Sequence, residues 1–437
     1  MAEEAREAKN TTANPYGGGP GTGVTLPPYY KPTEYVKNNN FYFPGNEEIG
    51  PDEMRISFVG STPWPPRRHQ AGTSIMVELG NGDSFFFDLG NGSIKNILAM
   101  QVPPALINDI FFTHLHVDHY ADLPYMLPFT ASNARFKPLR VYGPSGRTKE
   151  LGTQAMIDNM KQMMKWHLEA FDTIPIGDGY EVDVTEFDFK DENGICYDRN
   201  GVTVRHWPRS HAKDGASAYR LDWHDTGLSF VWTGDGRPDE LTIKNSKGVD
   251  VFVSEVQTDT GFLNSIKYGY PPTLFNYIID IHHTPHYAAG HLFKEIDPRI
   301  GMCTHIEYEP ELLNEVIAGI RAHWDGLFVF GAPDVKVVNV TKEAIWARDA
   351  VLPELGNIAR PQPAQIKQMF GGAEIPNEIT FPAPKIPREE QQEQYLRDIE
   401  IDPRKYMPKD VYRDPITKLP EIKISTEQLA GKKKKAA

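Results

Sequence analysis

The segment THLHVDHYADLPY, residues 113–125, sets His114, His116, Asp118 and His119 within six positions. It follows the apolar run INDIFF, so it stands where a buried strand runs out into a loop. In near-extended backbone, successive side chains point to opposite sides, which puts His114, His116 and Asp118 on one side; a turn can bring His119 round to join them. Four N/O donors are more than one tetrahedral zinc with an open position needs. They suit two cations a few ångströms apart that share and activate a water. Cys196 and Cys303 are the only cysteines, too few for a thiolate site, so any metal must be held by His and carboxylates.

Other apolar runs also end on residues of ligand or acid/base type. GVTVRHWPRSH ends on His211, LSFVWTGD on Asp235, VDVFVSE on Glu255 and IGMCTH on His305. Loops at strand ends are where α/β scaffolds build their sites. With the first cluster these supply three ligands per metal and a bridging carboxylate. Glu255 has a second reading, as a carboxylate that hydrogen-bonds a ligand histidine.

The elements that must position these groups begin at Met54. MRISFVG leads into TSIMVELGNGDSFFFDLG, two apolar runs around an Asn-Gly-Asp turn, the signature of a hairpin. ALINDIFFTH, LRVYG, EVDVTEFDF, GVTVRHW, LSFVWTGD, GVDVFVSE, RIGMCTH and VKVVNVT read as strands, and 148–170, 273–281, 286–296 and 310–323 as helices. Residues 1–53 read as an extended N-terminal arm, 54–348 as the catalytic domain and 349–437 as a C-terminal extension, in which eleven of the 36 prolines fall. A short helix is expected around Arg388–Ile401.

With 46 Lys+Arg against 59 Asp+Glu, the formal net charge is -13, which disfavours sequence-independent binding to a polyanion. No run of about 18 apolar residues exists to span a membrane. The first residues carry no basic and apolar leader, so a cytoplasmic location is expected, or a periplasmic one if a leader has been removed.

The motifs VGSTPWPPRRHQAGTSIMVELGNGDSFFFDLG, THLHVDH, RSHAKDGASAYRL, TGDGRP, DVFVSE, HHTPHYAAG and CTHIEY together resemble those of the metallo-β-lactamase fold hydrolases. The likeness runs from Met54 to about Arg348 and is nearest to the branch that holds tRNase Z, bacterial arylsulfatases and tRNase Z-like β-lactamases. It implies an α/β (α+β) chain folded as an αββα sandwich. It further implies two Zn2+ per chain, while the all-N/O donor set by itself leaves Fe or Mn as alternatives. His114, His116 and His211 would hold one cation, Asp118, His119 and His305 the other, and Asp235 would bridge. Asp118 would double as general base and His283 as the acid/base histidine, with Glu255 tuning it and Asp88 holding the metal-site loop. The His282/His283 doublet leaves that histidine's register open by one, and Gly236 stands where the nuclease pattern has Thr.

The expected function is hydrolysis by a metal-bound hydroxide. The segment Thr148–Ala170 carries Lys149, Lys161 and Lys165 against Glu150, Asp158 and Glu169, so it lacks the basic character of an RNA-gripping arm. Trp64, Tyr120, Trp207 and Tyr308 fall near the inferred metals. A small molecule of the β-lactam, lactone or aryl sulfate/ester type is therefore ranked first, and a tRNA 3′-end endonuclease second. Met156, Met160, Met163 and Met164 form an apolar stripe, read as core or subunit packing before a wall beside the substrate. A homo-oligomer is expected because both extensions are too polar to form cores alone.

Overall fold

In a computed structural model of the chain, residues 40–258 are described save 65 and 66, residues 281–354 save 334, and parts of the remainder including 363–369 and 382–402. Most of the helix expected at 273–281 lies outside the described residues. Two sheets pack face to face. The first has nine strands: β1 (Phe41–Tyr42), β2 (Met54–Gly60), β3 (Ser74–Leu79), β4 (Ser84–Phe87), β5 (Asp109–Phe111), β6 (Leu139–Pro144), β7 (Val182–Phe187), β15 (Lys336–Val340) and β16 (Ile345–Ala350), in the order β1-β16-β15-β2-β3-β4-β5-β6-β7. The second has seven: β8 (Gly194–Arg199), β9 (Val202–Pro208), β10 (Ser217–Trp223), β11 (Leu228–Trp232), β12 (Val251–Glu255), β13 (Ile300–Thr304) and β14 (Phe328–Phe330), in the order β14-β13-β12-β11-β10-β9-β8.

Side-chain alternation explains the layering. Ile75, Val77, Phe85, Phe87 and Phe111 face the second sheet and join one core with Val204, Leu221, Phe230 and Val253. Their neighbours Met76, Phe86, Ile110 and Phe112 face outward and are covered by helical residues such as Ile97, Leu123 and Ile157. The outer face of the second sheet is covered by helices His286–Ile296 and Pro310–Arg321, through Leu292, Phe293, Val316 and Ile320. Strands buried on both faces read as continuous apolar runs, which is why SFFF and VFVSE stand out in the sequence. The expected αββα sandwich is what forms.

The Asn81-Gly82 turn joins β3 to β4, with Gly82 at φ 95. The helix Leu123–Ser132 is hidden in the sequence because Pro124 and Pro128 lie in it. Residues 148–170 resolve into a single turn Lys149–Leu151 and helices Thr153–Met163 and Lys165–Ala170. The helix expected around Arg388–Ile401 forms as two short pieces, Arg388–Gln391 and Gln394–Ile399. The segment Phe41–Tyr42 adds to the sheet edge beside β16, where the Tyr42 ring lies 4.8 Å from the Arg55 guanidinium and 5.3 Å from that of Arg348. No helix among the described residues is long and apolar enough to cross a membrane.

Candidate metal centre

β4 runs parallel to β5, and β11, β12 and β13 are mutually parallel, so their C-terminal ends open on one edge of the sandwich. Asp88 follows β4, the His114–His119 cluster follows β5, His211 follows β9, Asp235 follows β11, Glu255 ends β12 and His305 follows β13. Close approach of these loops needs glycine at position 90, where a Cβ would come within 2.2 Å of the Asp118 carbonyl oxygen.

Three imidazoles converge first. His116 Nδ1 lies 3.0 Å from His114 Nε2 and 3.1 Å from His211 Nε2. The spacing approaches the ligand-to-ligand separation of about 3.3 Å expected around a tetrahedral zinc with Zn–N bonds of about 2.0 Å. The far nitrogens explain which lone pairs point inward. His211 Nδ1 donates to the His282 carbonyl oxygen at 2.6 Å, leaving Nε2 as the donor toward a cation. His114 Nδ1 lies 3.1 Å from Thr113 Oγ1, whose hydroxyl donates to Asp88. Burial presses the pKa of His114 and His116 down, and that of His211 to about 4, which favours the neutral form of each ring that a cation would require.

The second group is richer in charge. Asp118 Oδ2 lies 3.4 Å from His305 Nε2 and 3.8 Å from His119 Nε2. Asp235 Oδ2 is 3.3 Å from His305 Nε2, 3.4 Å from His119 Nε2, 3.8 Å from His211 Nε2 and 3.9 Å from His114 Nε2. One oxygen thus faces both groups. Burial opposes charge at His305, but Asp235, together with hydrogen bonds to Asp118 and Glu255, raises its pKa to about 10. Burial likewise opposes charge on Asp118, yet His119 and His305 hold its carboxyl below the usual carboxylate range.

His119 Nδ1 donates to Asp88 Oδ2 at 3.0 Å, which turns Nε2 toward Asp118 and Asp235. Asp88 also accepts from Thr113 N at 2.8 Å and Trp232 Nε1 at 2.9 Å. Asp88 and His305 have φ of 61 and 52, a region that non-glycine residues seldom occupy and that clusters at functional sites.

Of the doublet, His283 is tied into the centre. Its Nδ1 donates to Glu255 Oε2 at 2.9 Å, while the other Glu255 oxygen accepts from Gly236 N at 2.7 Å and Thr284 N at 3.2 Å. His282 contributes its backbone carbonyl instead. Glu255, fully buried, therefore touches the centre through His283 and, at 3.5 Å, His305 Nδ1. Gly236 has φ 152, and a Cβ there would sit 3.0 Å from Arg209 Nε, a steric reason for glycine where the nuclease pattern has Thr.

The fit to two cations rests on the donors themselves. His114, His116 and His211 form one set whose ligand atoms lie within 4.8 Å of one another, and Asp118, His119 and His305 form a second. The buried His119 Nε2 and Asp235 Oδ1 have no hydrogen-bond partner. Unpaired buried donors of this kind, all N or O, are what divalent cations such as zinc satisfy.

The structure separates the aromatic residues that lie near the motifs in sequence. Trp207 is fully buried and donates to Thr242 Oγ1, and Tyr308 packs on Phe330, so both are packing residues. Trp64 is 68% exposed. Tyr120 alone of the four lines the cavity beside the metal centre. The methionine stripe divides likewise: Met160 and Met164 are core, Met163 is exposed, and Met156 reaches the cavity. Several contacts with the centre have no counterpart in the sequence reading, those of Thr113 and Trp232 with Asp88 among them. Gln257 Nε2 donates to the His305 carbonyl oxygen at 2.7 Å, and a glutamine two positions past the end of β12 carries no pattern that would mark it.

Residues 94–306 match the family model described as Beta-lactamase superfamily domain. Ribonuclease Z of Methanococcus maripaludis is 40% identical over 96 residues, 22% of this chain and 31% of that protein. Ribonuclease Z of Picrophilus torridus is 23% identical over 242 residues, 50% of this chain and 78% of that protein. The chain thus spans about a third of the first relative's length. Among solved structures, the metallo-β-lactamase fold protein YhfI from Bacillus subtilis aligns at 17% identity and a TM-score of 0.49, covering 66% of this chain and 100% of that one. The short form of human tRNase Z aligns at 16% identity and a TM-score of 0.47, covering 64% and 98%.

Proposed function

The chain carries a tRNase Z-like metallo-β-lactamase fold, and from that premise we propose that it is a divalent-cation-dependent phosphodiester hydrolase, of the class that cleaves tRNA at its 3′ end. The observation that carries the hydrolase reading is Asp235, one oxygen of which lies within 3.9 Å of five imidazole nitrogens, those of His114, His119, His211 and His305 from the two ligand groups and His283 Nδ1. In this reading His114, His116 and His211 would hold one cation and Asp118, His119 and His305 the other, with the Asp235 carboxylate shared by both groups. Two divalent cations held there would supply Lewis acidity toward the scissile centre and lower the pKa of bound water.

The chain's own groups do the rest. Asp118 orients the attacking water and takes its proton. His283, its Nδ1 held by Glu255, presents Nε2 to protonate the leaving oxygen. Glu255 is a positioning residue, because its oxygens are taken up by Gly236, Thr284 and His283.

The ribonuclease Z relatives reverse the ranking suggested by charge, and support a phosphodiester and a nucleic-acid partner over a small molecule. A small-molecule substrate remains the second reading because the cavity at the metal centre is about 270 Å3, just under the range usual for drug-sized ligands. A panel of the zinc-replete protein against pre-tRNA with a 3′ trailer, bis(p-nitrophenyl) phosphate, a β-lactam, a lactone and an aryl sulfate tests both. Trailer release supports the proposal; turnover confined to the lactam, lactone or sulfate sinks it.

A further inference from the structure

The cavity beside the metal centre borders one ligand group and not the other. Of the seven candidate metal ligands, His114, His116 and His211 line it and the other four do not. Its uncharged lining includes Tyr120 and Met156, half-buried, and Pro144, buried, with Ser145 and Asn159 as polar members. The charged members, Glu150, Lys213 and Asp214, are exposed. Asp214 is already engaged by Arg147 Nε at 2.7 Å. Lys213 is the one Lys or Arg among the lining residues, set against two carboxylates, so the cavity is poorly built for a second phosphate. Its volume of about 270 Å3 suits a single ring better than a dinucleotide.

The far wall is held in place. It is formed by the turn Lys149–Leu151 and helix Thr153–Met163. Thr153 Oγ1 donates to the Pro144 carbonyl oxygen at 2.9 Å, and Gln154 N donates to Glu186 Oε2 at 2.8 Å. A Cβ at Gly152 would lie 2.3 Å from that same Glu186 oxygen, so the helix start is seated where glycine alone fits without a shift. Met156 lies just inside this anchored start and reaches the cavity.

We propose that the cavity is a subsite for one uncharged, ring-sized substituent of the substrate next to the scissile bond, and that Met156 sets its depth. The inference rests on the phosphodiester reading above for its choice of scissile group. Calorimetric binding of methyl-, phenyl- and 1-naphthylphosphonate to the zinc-replete full chain, as wild type, M156A and M156W, tests it without turnover. In the wild type, phenylphosphonate binds at least about tenfold more tightly than methylphosphonate. M156W erases that preference and leaves methylphosphonate within about twofold of wild type, while M156A admits the naphthyl probe. Equal binding of methyl and phenyl probes by the wild type, or an M156W loss shared by all three, overturns the subsite. Failure of the phosphodiester reading is separately visible, as no turnover of bis(p-nitrophenyl) phosphate with the phenyl preference intact.

Discussion

Asp88 is the residue whose replacement tests how the centre is held. Its carboxylate is fully buried and accepts from Thr113 N at 2.8 Å, His119 Nδ1 at 3.0 Å and Trp232 Nε1 at 2.9 Å, with the Thr113 hydroxyl as a further donor at 2.9 Å. In D88N the side chain keeps its size, and asparagine tolerates the left-handed backbone at this position. Yet one oxygen becomes an NH2 group. Turned one way it confronts Thr113 N–H; turned the other it confronts both His119 and Trp232. At least one buried donor is left unsatisfied, a cost of about 1–3 kcal/mol. D88A leaves four such donors, Thr113 N, the Thr113 hydroxyl, His119 Nδ1 and Trp232 Nε1, roughly 4–12 kcal/mol if water rescues none, comparable to the whole stability of many domains. D88N is therefore the informative variant. Urea denaturation should show the smaller loss, and chelator competition a zinc affinity about 10–100-fold weaker, because His119 loses the partner that fixes its tautomer. W232F removes one donor and should leave zinc affinity unchanged. Wild-type zinc affinity in D88N would refute the claim that Asp88 orients His119.

Three further outcomes follow from the geometry. H283A should lower turnover by about 10²–10⁴-fold with zinc content unchanged, and E255Q should lower it less, shifting the pH profile; loss of zinc in H283A would make the residue a ligand instead. His206, stacked on Phe187 and held by burial at a pKa of about 4 against an ordinary 6.5, stays neutral in the fold while the unfolded chain takes up a proton. Its contribution is present above pH 6.5 and is lost as the pH falls toward 4, about 2 kcal/mol at pH 5. Urea titrations of wild type and H206N at pH 5 and 7 should differ by that amount, and equal pH slopes would contradict it. Cys196 and Cys303 are buried, which pushes both thiols up, so neither should react with a thiol reagent before unfolding; rapid native labelling would contradict this.

The sequence is most legible where chemistry and strand pattern coincide. His114 and His116 lie in the loop after β5, but Asp118 and His119 lie in the helical turn Val117–Tyr120 that follows it and not in the extended backbone the sequence suggests. His211, Asp235 and His305 each end or follow an apolar strand, so their positions on one edge follow from the βα alternation. Asp88 could be placed only through the family likeness, because its role depends on contacts with residues 113, 119 and 232, far along the chain. Trp207 misleads for the opposite reason: it is four residues from His211, but strand alternation turns it into the helix-covered outer layer. The cavity wall at Met156 shows in the sequence only as an apolar stripe, since the side of a helix that meets a cleft is decided by the anchors at Pro144 and Glu186. The proline-bearing helix Leu123–Ser132 shows tertiary packing overriding local propensity.

The central claim is a two-cation centre bridged by Asp235. Equilibrium dialysis against zinc followed by elemental analysis measures it directly in the wild type and in D235A. The account predicts two zinc ions per wild-type chain and a loss of at least one in D235A; a wild type that binds one or none, or a D235A chain that keeps both, would contradict it.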